Sequence, residues 1–410
     1  MRILVIGSGG REHALAWKLA QSPGVELFAS PGNPGMAQVA SCLPGGAYLE
    51  IAEHVDADLT VVGPEAPLVD GIVDEFRARG KRIIGPDRKA AQLEGSKAFA
   101  KDFLRQSRMP TAAYVTVENE TDARRALERF GFPVVLKADG LAAGKGVTIA
   151  QNLREAEQAL TALRGRVVIE EFLRGEEVSF IALCDGRDAV ALAPTQDHKA
   201  VFDGDTGPNT GGMGAYCDAA ILSPSQEREI MDRVIRRTVE ATGFTGFLYA
   251  GMMMTADGPK VLEFNVRLGD PETQPLMHRM ASDFVPLLMA AAEGKLGGAR
   301  IDWKSAPSVA VVLASGGYPG TYETGKPITG IAEAEGLGAT VFHAGTRVGA
   351  HGLETAGGRV LAVTASGTDL PAAIDAAYQA VRPIHFPGMH YRRDIGQKGL
   401  RRYNKRIVGT

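Results

Sequence analysis

The sequence is poor in cysteine and in long apolar runs. It holds 3 cysteines in 410 residues, and Cys42, Cys184 and Cys217 share no spacing typical of a metal site. Their odd number argues against a disulfide framework and favours a reducing compartment. The apolar stretch that follows Met1 is too short for a signal peptide or a bilayer span. We therefore expect a cytoplasmic protein without a membrane partner.

An excess of charge of one sign is also missing. The 45 basic and 48 acidic residues give a formal net charge of −3. Electrostatic binding of nucleic acid needs a marked basic excess, so we expect no nucleic-acid partner. The one basic run lies at the C-terminus, from Arg392 to Arg406, and only Asp394 offsets it in the sequence. Such a run is either a solvated end or a positive rim beside an anionic ligand.

The first hundred residues alternate apolar strands with helical patterns. The predicted strands are Arg2–Ile6, Val25–Ser30, Leu59–Gly63 and Arg82–Gly85, and the predicted helices are Glu12–Gln21, Leu68–Arg79 and Lys89–Gln106. This alternation is typical of a parallel sheet covered on both faces. Ligands bind such sheets beyond the carboxyl ends of the strands.

Between about residues 113 and 197 the pattern changes to strands around one helix, Leu153–Leu163. The predicted strands there are Val134–Ala138, Val147–Ala150, Val167–Leu173, Val178–Asp185 and Ala189–Thr195. A long helix, Gln226–Thr242, and a hairpin turned at Asp257-Gly258 follow. From about residue 307 the pattern predicts three further strands and a helix near Pro371–Val381.

The first glycine turn, Gly7-Ser8-Gly9-Gly10, resembles a dinucleotide fingerprint but departs from it. Glu12 stands at the third glycine position, and the second strand does not end in an acid, which disfavours an NAD site. The turn opens a helix with Arg11 in its first turn. The N–H groups of Gly9 and Gly10 and the Arg11 guanidinium suit a phosphate monoester. A turn that only packs helix against strand is the alternative.

A second glycine-rich stretch starts where Lys137 ends an apolar strand, and its loop carries Lys145. It is not a Walker A motif, because Gly140 to Gly144 is one residue short and Gly146 replaces the Ser or Thr that binds Mg²⁺. Its backbone amides can approach phosphate oxygens, and the loop can close as a lid. The two lysines would neutralise phosphate charge, unless the loop is a hairpin with one solvated lysine.

Four acids surround the turn after the strand that begins at Val167. An extended hinge over Glu170–Leu173 offers main-chain groups to adenine, and Glu177 offers a carboxylate to the ribose hydroxyls. Solvated acids beside a turn are the alternative, and they are common.

The strand Val261–Arg267 is the most informative stretch. Because side chains alternate across a strand, Glu263, Asn265 and Arg267 share one face, while Leu262, Phe264 and Val266 bury on the other. A carboxylate beside a carboxamide offers the hard oxygen ligands that Mg²⁺ prefers. Arg267 is placed to hold a carboxylate or a transferring phosphoryl group. A wet strand face is the alternative.

The loop from Gln196 to Gly214 is dense in glycine and acids. Loops of this length are uncommon in compact domains unless they are functional. Asp197 and Asp205 could bind an ammonium group, and the glycine amides could bind a carboxylate. An α-amino acid offers both groups.

In this order, the stretches resemble the glycinamide ribonucleotide synthetase family of ATP-grasp ligases. The matching strings are GSGGREHAL at 7–15, PGNPG at 31–35, VVGPEAPLVDG at 61–71, LEGSKAFAK at 93–101, LKADGLAAGKGV at 136–147, GPNTGGMGAY at 207–216, LEFNVRLGDPE at 262–272, SGGYPG at 315–320 and YRRDIG at 391–396. They touch every predicted domain. Ala200 is a departure, because the family has a basic residue after the lysine that is Lys199 here.

The resemblance implies a mixed α/β and α+β fold of three domains. These are an N-terminal pre-ATP-grasp parallel α/β domain (1–103), an ATP-grasp domain of two subdomains (104–320) with a mobile lid at about 118–185, and a small α+β C-terminal domain (321–410).

The resemblance also implies a reaction in purine biosynthesis. ATP, glycine and 5-phosphoribosylamine would give glycinamide ribonucleotide, ADP and phosphate, and we expect a glycyl phosphate intermediate. The ATP contacts of the family fall on Lys97, Lys137, Lys145, Glu170, Leu173 and Glu177, and its metal ligands on Glu263 and Asn265. The metal would be Mg²⁺, with Mn²⁺ as the alternative.

Four residues are the catalytic candidates: Arg267, Lys145, Asp197 and Asp205. The phosphate of phosphoribosylamine is expected at Gly9, Gly10 and Arg11. We expect a monomer that makes transient contact with the enzyme supplying phosphoribosylamine.

Three other functions fit part of the pattern. An ATP-grasp ligase for another amino acid or amine would differ in its glycine dependence. An NAD-dependent oxidoreductase is disfavoured by the altered glycine turn. A non-catalytic nucleotide-binding module has no need of metal ligands such as Glu263 and Asn265.

Overall fold

The N-terminal unit is a five-stranded parallel sheet with the strand order β3-β2-β1-β4-β5. A computed structural model describes residues 1–141, 146–163, 165–350 and 352–408, the last six by their backbone alone. The elements of this unit are β1 (Arg2–Gly7), α1 (Gly10–Leu19), β2 (Glu26–Pro31), β3 (Ser41–Cys42), α2 (Tyr48–His54), β4 (Leu59–Val62), α3 (Glu65–Asp70), α4 (Ile72–Ala78), β5 (Ile83–Ile84), α5 (Arg88–Gly95) and α6 (Lys97–Gln106).

Alternation along β1 divides the core between the two faces of this sheet. Ile3 and Val5 pack in one cluster with Leu15 of α1, whereas Leu4 packs in another with Phe76 of α4. Apolar residues on both faces are what a buried parallel strand requires. The strand predictions for this unit are confirmed within one or two residues at each end.

Two helices predicted as single elements are each broken in two. Gly71 has φ +93° and ends α3 before α4 begins, a left-handed conformation that glycine adopts readily. Between α5 and α6, Ser96 is extended and accepts a hydrogen bond from the N–H of Phe99, so it caps a new helix. The apolar period continues through both breaks, which is why periodicity alone predicted unbroken helices.

A second unit is a four-stranded antiparallel sheet with the order β6-β9-β7-β8. Its elements are β6 (Tyr114–Val117), α7 (Glu120–Phe130), β7 (Val134–Ala138), β8 (Val147–Ala150), α8 (Leu153–Leu163) and β9 (Val167–Glu171). The prediction of one helix here is wrong, because α7 is a second one. It buries only Ala123, Ala126 and Leu127, so its apolar face is too small to stand out in the sequence.

The largest sheet among the described residues has nine strands and runs β17-β16-β10-β12-β15-β18-β22-β19, with β11 beside β10. Its strands and the hairpins and helices around it are β10 (Glu176–Asp185), β11 (Ala189–Ala191), β12 (Thr195–Asp197), β13 (Ala200–Phe202), β14 (Thr206–Asn209), β15 (Gly214–Cys217), α9 (Pro224–Ile230), α10 (Arg236–Thr242), β16 (Thr245–Thr255), β17 (Gly258–Asn265), α11 (Thr273–Arg279), α12 (Phe284–Ala292), β18 (Ser308–Ala314), α13 (Ile331–Gly336), β19 (Thr340–His343), β20 (Thr346–Gly349), β21 (Gly352–Thr355), β22 (Arg359–Ser366), α14 (Leu370–Val381) and α15 (Gln397–Val408).

Two predictions for this sheet need correction. The strand predicted over Ala189–Thr195 is two strands, β11 and β12, with the break at 192–194. Strict alternation along β17 is also wrong, because a register shift opposite Gly251 and Met252 leaves Leu262 as an extra residue. Phe264 joins the main core, whereas Leu262 packs in a separate small cluster. Bulges re-aim side chains in this way.

The C-terminal basic run does not form a solvated end throughout. Arg392 is 1% exposed and is paired with Asp205 and Asp394, at 3.0 and 2.7 Å. Its Nη1 also donates to the carbonyl of Ala200, at 3.0 Å. Lys398 pairs with the other oxygen of Asp205, at 2.8 Å. Asp205, from a distant segment, and Asp394, from within the run, therefore neutralise part of it. No helix in the described ranges is long and apolar enough to cross a membrane.

We predict that Gly246→Ala destabilises the protein more than Gly24→Ala does. Both glycines have positive φ, +86° and +72°, which costs an alanine about 1–2 kcal/mol. A Cβ at Gly246 would lie 2.6 Å from the Cα of Gly85 in the N-terminal unit, whereas one at Gly24 meets no atom within 4 Å. Forcing these backbones apart adds about 1–3 kcal/mol. Calorimetric melting temperatures test this, and equal losses in the two variants would contradict a tight contact at Gly246.

Candidate active site

A buried carboxylate between two lysines forms the centre of the site. Glu170, at the end of β9, forms ion pairs with Lys137 of β7 at 2.9 Å and with Lys101 of α6 at 2.7 Å. All three side chains are less than 8% exposed. Burial lowers the pKa of Lys101 to about 8, against the effect of Glu170. The structure thus brings together two predicted residues and Lys101, to which the sequence had assigned no role.

Lys97 lies one helical turn before Lys101 and faces the glycine loop. Its Nζ donates to the carbonyl of Gly140 at 2.7 Å. Asp139, next in the chain, accepts from the hydroxyl of Ser96 at 2.9 Å. Burial lowers the pKa of Lys97, and Lys137 adds to the effect while Glu263 opposes it. Helix α6 is therefore bonded to the start of the loop in which Lys145 follows, although Lys145 itself lies outside the described residues.

The predicted adenine hinge lies beside a small apolar cluster. Leu173 is 9% exposed and packs with Ala112, Met253 and the extra residue Leu262 of the β17 bulge. Within the described residues, the N–H of Leu173 has no hydrogen-bond acceptor. An apolar wall with a free main-chain donor is a surface on which a purine ring can bind.

The predicted metal ligands lie at the carboxyl end of β17, and a lysine faces them. Lys199 lies 3.7 Å from Glu263 and 3.1 Å from Glu177. Burial would raise the pKa of Glu263, but Lys199, Lys137 and Lys97 together hold it below the ordinary value. Glu263 is therefore an ionised, partly exposed carboxylate. The side-chain oxygen of Asn265 accepts from Arg267 at 3.1 Å.

Arg267 connects the metal-ligand strand to the N-terminal unit. Its guanidinium lies 2.8 Å from Glu94 and 3.4 Å from Glu65. Glu94 also accepts from the N–H of Val266 at 2.7 Å. Burial raises the pKa of Glu94 although Arg267 opposes it, while Arg267 and Arg11 outweigh burial and lower the pKa of Glu65. Arg267 is thus held by two acids that the sequence did not connect with it.

Asp197 is the acid of the long loop that lies near this strand. Burial raises its pKa to about 7, with smaller contributions from Glu272 and Glu177. Glu272 is 3% exposed and accepts from the hydroxyls of Tyr249, at 2.9 Å, and Ser179, at 3.1 Å. Lys199, which lies 3.1 Å from Glu177, opposes this rise in the pKa of Asp197 and is the cation that this group of acids already holds.

Asp205, the other predicted ammonium ligand, has two cations already bound to it. The pairs with Arg392 and Lys398 lower its pKa, although burial alone would raise it. Among the described residues, neither Arg267 nor Lys199 forms an ion pair with Asp205. The signal that could have found this arrangement was the basic run itself, which needed acids to balance it.

The first glycine turn is filled by the protein's own acid. Glu12 is 2% exposed and accepts from the N–H of Gly9 and from Arg11, each at 2.6 Å. A Cβ at Gly63 would lie 1.9 Å from its Oε1, and one at Gly7 2.6 Å from its Cγ. Glu12 therefore closes the turn by accepting from the N–H of Gly9, which is one half of a capping box, because glycine has no side chain to form the other half. From the sequence, Glu12 was noted only because it replaces the third glycine of a dinucleotide fingerprint.

The other side of this turn faces two further charges. A Cβ at Gly9 would lie 3.6 Å from the carboxylate of Asp270. Asp270 pairs with Arg359 at 2.8 Å, and Arg359 also donates to the carbonyls of Gly211 and Asp270. Burial would raise the pKa of Asp270, but Arg359 and Arg11 lower it. The first glycine turn, the loop that contains Gly211 and strand β22 of the nine-stranded sheet therefore meet at one place.

Comparison with known proteins covers nearly the whole chain. Family models of phosphoribosylglycinamide synthetase match in three parts, the N domain over residues 1–94, the ATP-grasp (A) domain over 95–273 and the C domain over 308–398. A phosphoribosylamine–glycine ligase of Xanthomonas axonopodis pv. citri is 53% identical, over 98% of this chain and 99% of the relative. One from Pseudomonas aeruginosa is 50% identical, over 98% and 99%. The crystal structure of the Thermotoga maritima phosphoribosylamine–glycine ligase has a TM-score of 0.85 at 34% identity, over 96% of this chain and 100% of that one.

We predict that Arg267→Met destabilises the protein, because Glu94 would remain buried without its cation. Removing one partner of a buried ion pair costs about 3–5 kcal/mol. The double variant Arg267→Met, Glu94→Gln removes both charges and should recover much of this loss. Melting temperatures of the two variants and of Glu94→Gln test the coupling. Additive losses would contradict a direct interaction between these two side chains.

Proposed function

The chain belongs to the phosphoribosylglycinamide synthetase family, and on that premise we propose that it joins glycine to 5-phosphoribosylamine with ATP. The products are glycinamide ribonucleotide, ADP and phosphate. The family and the fold class predicted from the motifs are confirmed by this membership. The observation that supports the chemistry most is the grouping of Lys97, Lys137 and Lys199 around Glu263.

ATP fits between the four-stranded sheet and the end of β17. The adenine ring would lie on the apolar cluster of Leu173, with its ring nitrogen accepting from the free N–H there. Glu177 is 44% exposed and would accept from the ribose hydroxyls. Lys97, Lys137 and Lys145 would neutralise the phosphates, with Glu170 orienting Lys137. Phosphoryl transfer asks mainly for such positioning and charge neutralisation.

Glu263 and Asn265 would hold Mg²⁺, with Mn²⁺ as the alternative. Both offer hard oxygen atoms, and Glu263 is ionised, so the donor set fits either ion. The bond from Arg267 uses one lone pair of the Asn265 oxygen and leaves the other free. When bound, the ion supplies positive charge to the β- and γ-phosphates.

The carboxylate of glycine is a poor electrophile and must first be activated. One of its oxygens would attack the γ-phosphorus, the bond to the β-bridging oxygen would break, and ADP would leave. The product is glycyl phosphate. Lys199 lies 3.7 Å from the metal ligand Glu263, where its positive charge would stabilise the negative charge of the phosphoryl group during transfer. Arg267 holds the end of β17 through its ion pairs with Glu94 and Glu65. We assign it this positioning role and the stabilisation of negative charge on the transferring phosphoryl group.

The amine of phosphoribosylamine would then attack the acyl carbon, and phosphate would leave. The ribose phosphate would bind where Gly9, Gly10 and Arg11 meet Asp270 and Arg359. The N–H of Gly9 and the Nε of Arg11 bond to Glu12, so the phosphate would displace that carboxylate or use the remaining N–H groups of the turn and of the two guanidinium groups. Asp197 would hold the ammonium group of glycine. Asp205 lies in the same loop, and we assign it the role of holding that loop in place through its ion pairs with Arg392 and Lys398.

Three further points belong to the proposal. We place the reaction in the cytoplasm, consistent with free thiols at Cys42, Cys184 and Cys217. The enzyme would act as a monomer that receives phosphoribosylamine from its producing enzyme in a transient contact. The domains would divide at residues 103 and 320, with the lid at about 118–185.

Substrate dependence tests the reaction directly. Phosphate release from ATP should require both glycine and freshly generated phosphoribosylamine, and the product should be glycinamide ribonucleotide by mass spectrometry. Release with another amino acid, or with another amine in place of phosphoribosylamine, would point to a different ligase. Nucleotide binding without any turnover would point to a binding module.

We predict that Glu263→Ala lowers kcat by about 10²–10³, the usual loss when a charge-stabilising group is removed. The fold should persist, because Glu263 is partly exposed and makes only one long ion pair, at 3.7 Å. Glu50→Ala, at an exposed acid of α2, is the control and should behave like the wild type. Near-normal turnover of Glu263→Ala in a folded protein would remove Glu263 from the site.

We predict that the KM for glycine falls as pH rises through 7. Burial and the nearby acids raise the pKa of Asp197 to about 7, so below that pH its carboxyl is protonated and cannot bind an ammonium group. Each pH unit below 7 should therefore raise KM up to about tenfold. In Asp197→Asn, KM should be high at all pH values, while the exposed Asp257→Asn keeps the wild-type profile. The same slope in Asp197→Asn would assign the titration to another group.

A further inference from the structure

The cluster around Glu170 contains two cations and one anion. Lys101 and Lys137 approach opposite oxygens of the same carboxylate, at 2.7 and 2.9 Å. If Lys101 were absent, Lys137 and Glu170 would form a neutral pair. With Lys101 present, the cluster keeps one net positive charge in a buried position. Charge acts more strongly there than in water, because the surroundings screen it less.

Lys101 is held where a nucleotide cannot reach it. It is 3% exposed, and its ammonium donates to Thr111 at 2.8 Å as well as to Glu170. Thr111 in turn donates to the carbonyl of Val261 at 2.7 Å. The side chain is therefore fixed between α6, β9 and the chain that enters β17. Lys101 therefore cannot contact a ligand, and the charge nearest to it is that of Glu170.

Lys137 is placed differently. Its ammonium forms an ion pair with Glu170 at 2.9 Å and donates to the carbonyl of Leu262 at 3.0 Å. An ammonium group has three N–H bonds, so one remains for a ligand. Leu262 also belongs to the apolar cluster of the adenine hinge. The free N–H of Lys137 is thus near the proposed adenine surface and on the phosphate side of Glu170.

We propose that Lys101 is a positioning residue that neutralises Glu170 and so frees the charge of Lys137 for the phosphates of the nucleotide. This inference rests on the proposed function, since it needs ATP in this cleft. Glu170 orients Lys137 at the cost of cancelling its charge, and Lys101 offsets that cancellation without touching the ligand. Its placement four residues after Lys97 lets one helix supply both a cation for the ligand and a cation for the acid.

The test compares charged and uncharged ligands of the same site. In Lys101→Met we expect ATP and ADP to bind about 10- to 100-fold more weakly, the effect of one lost charge at short range in a partly screened site. Adenosine, which carries no phosphate, should bind within about twofold of its wild-type affinity, because the hinge and Leu173 remain. Calorimetric titration measures all three. Lys295→Met, at a lysine whose side chain is 71% exposed, is the control and should change none of them.

A second variant keeps the test valid if Lys101→Met folds poorly. Lys101→Met, Glu170→Gln removes the acid as well, so Lys137 keeps its charge. The ratio of the adenosine Kd to the ATP Kd should then return to within about threefold of the wild-type ratio. A ratio that stays low in the double variant overturns the proposal.

The other outcomes are equally decisive. Equal weakening of ATP and adenosine in Lys101→Met would mean that Lys101 only supports the local structure, and unchanged ATP binding would mean that Lys137 does not depend on it. Either result overturns the inference and leaves the proposed function standing. Failure of the wild type to bind ATP at all would instead remove the proposed function.

Discussion

The ion pairs of Arg267 with Glu94 and Glu65 hold the metal-ligand strand against the N-terminal unit. They act together with the packing of Phe264 and Val266 in the main core and with the bond from the N–H of Val266 to Glu94. The same guanidinium orients the Asn265 oxygen. A single side chain thus transmits the geometry of one unit to the ligands in another. A buried acid needs a nearby cation, and here that requirement also aligns the site.

The same requirement recurs around the cleft. Glu12 is satisfied by Arg11, Glu170 by two lysines and Asp270 by Arg359. The first pair closes a turn locally. The others join residues that are far apart in the chain. The cleft is therefore lined by charges of both signs, and the cluster around Glu170 keeps one net positive charge that an anionic ligand can meet.

The local pattern of apolar and polar residues predicted many of the strands and several of the candidate site residues. The parallel strands of the first unit, the polar face of β17 and the lysine at the end of β7 were evident, because burial and strand alternation leave a direct record in the sequence. Helix α7 was missed because its buried face consists of two alanines and a leucine. The partners of the site residues were missed for another reason: Arg267 and Glu94 are 173 residues apart, and periodicity carries no information about such pairs. Lys101 could have been noticed, since it stands one turn after Lys97 on the same helix.

The nine-stranded sheet continues without interruption from β15 through β18 to β22. Strand β18 is buried along its whole length and is hydrogen-bonded on both sides, to β15 by four residue pairs and to β22 by seven. A recombinant fragment that began after residue 320 would therefore carry β22 with an unpaired apolar edge, and such edges recruit other strands. The residues after 320 thus depend on the preceding strand, β18, to cover the edge of β22.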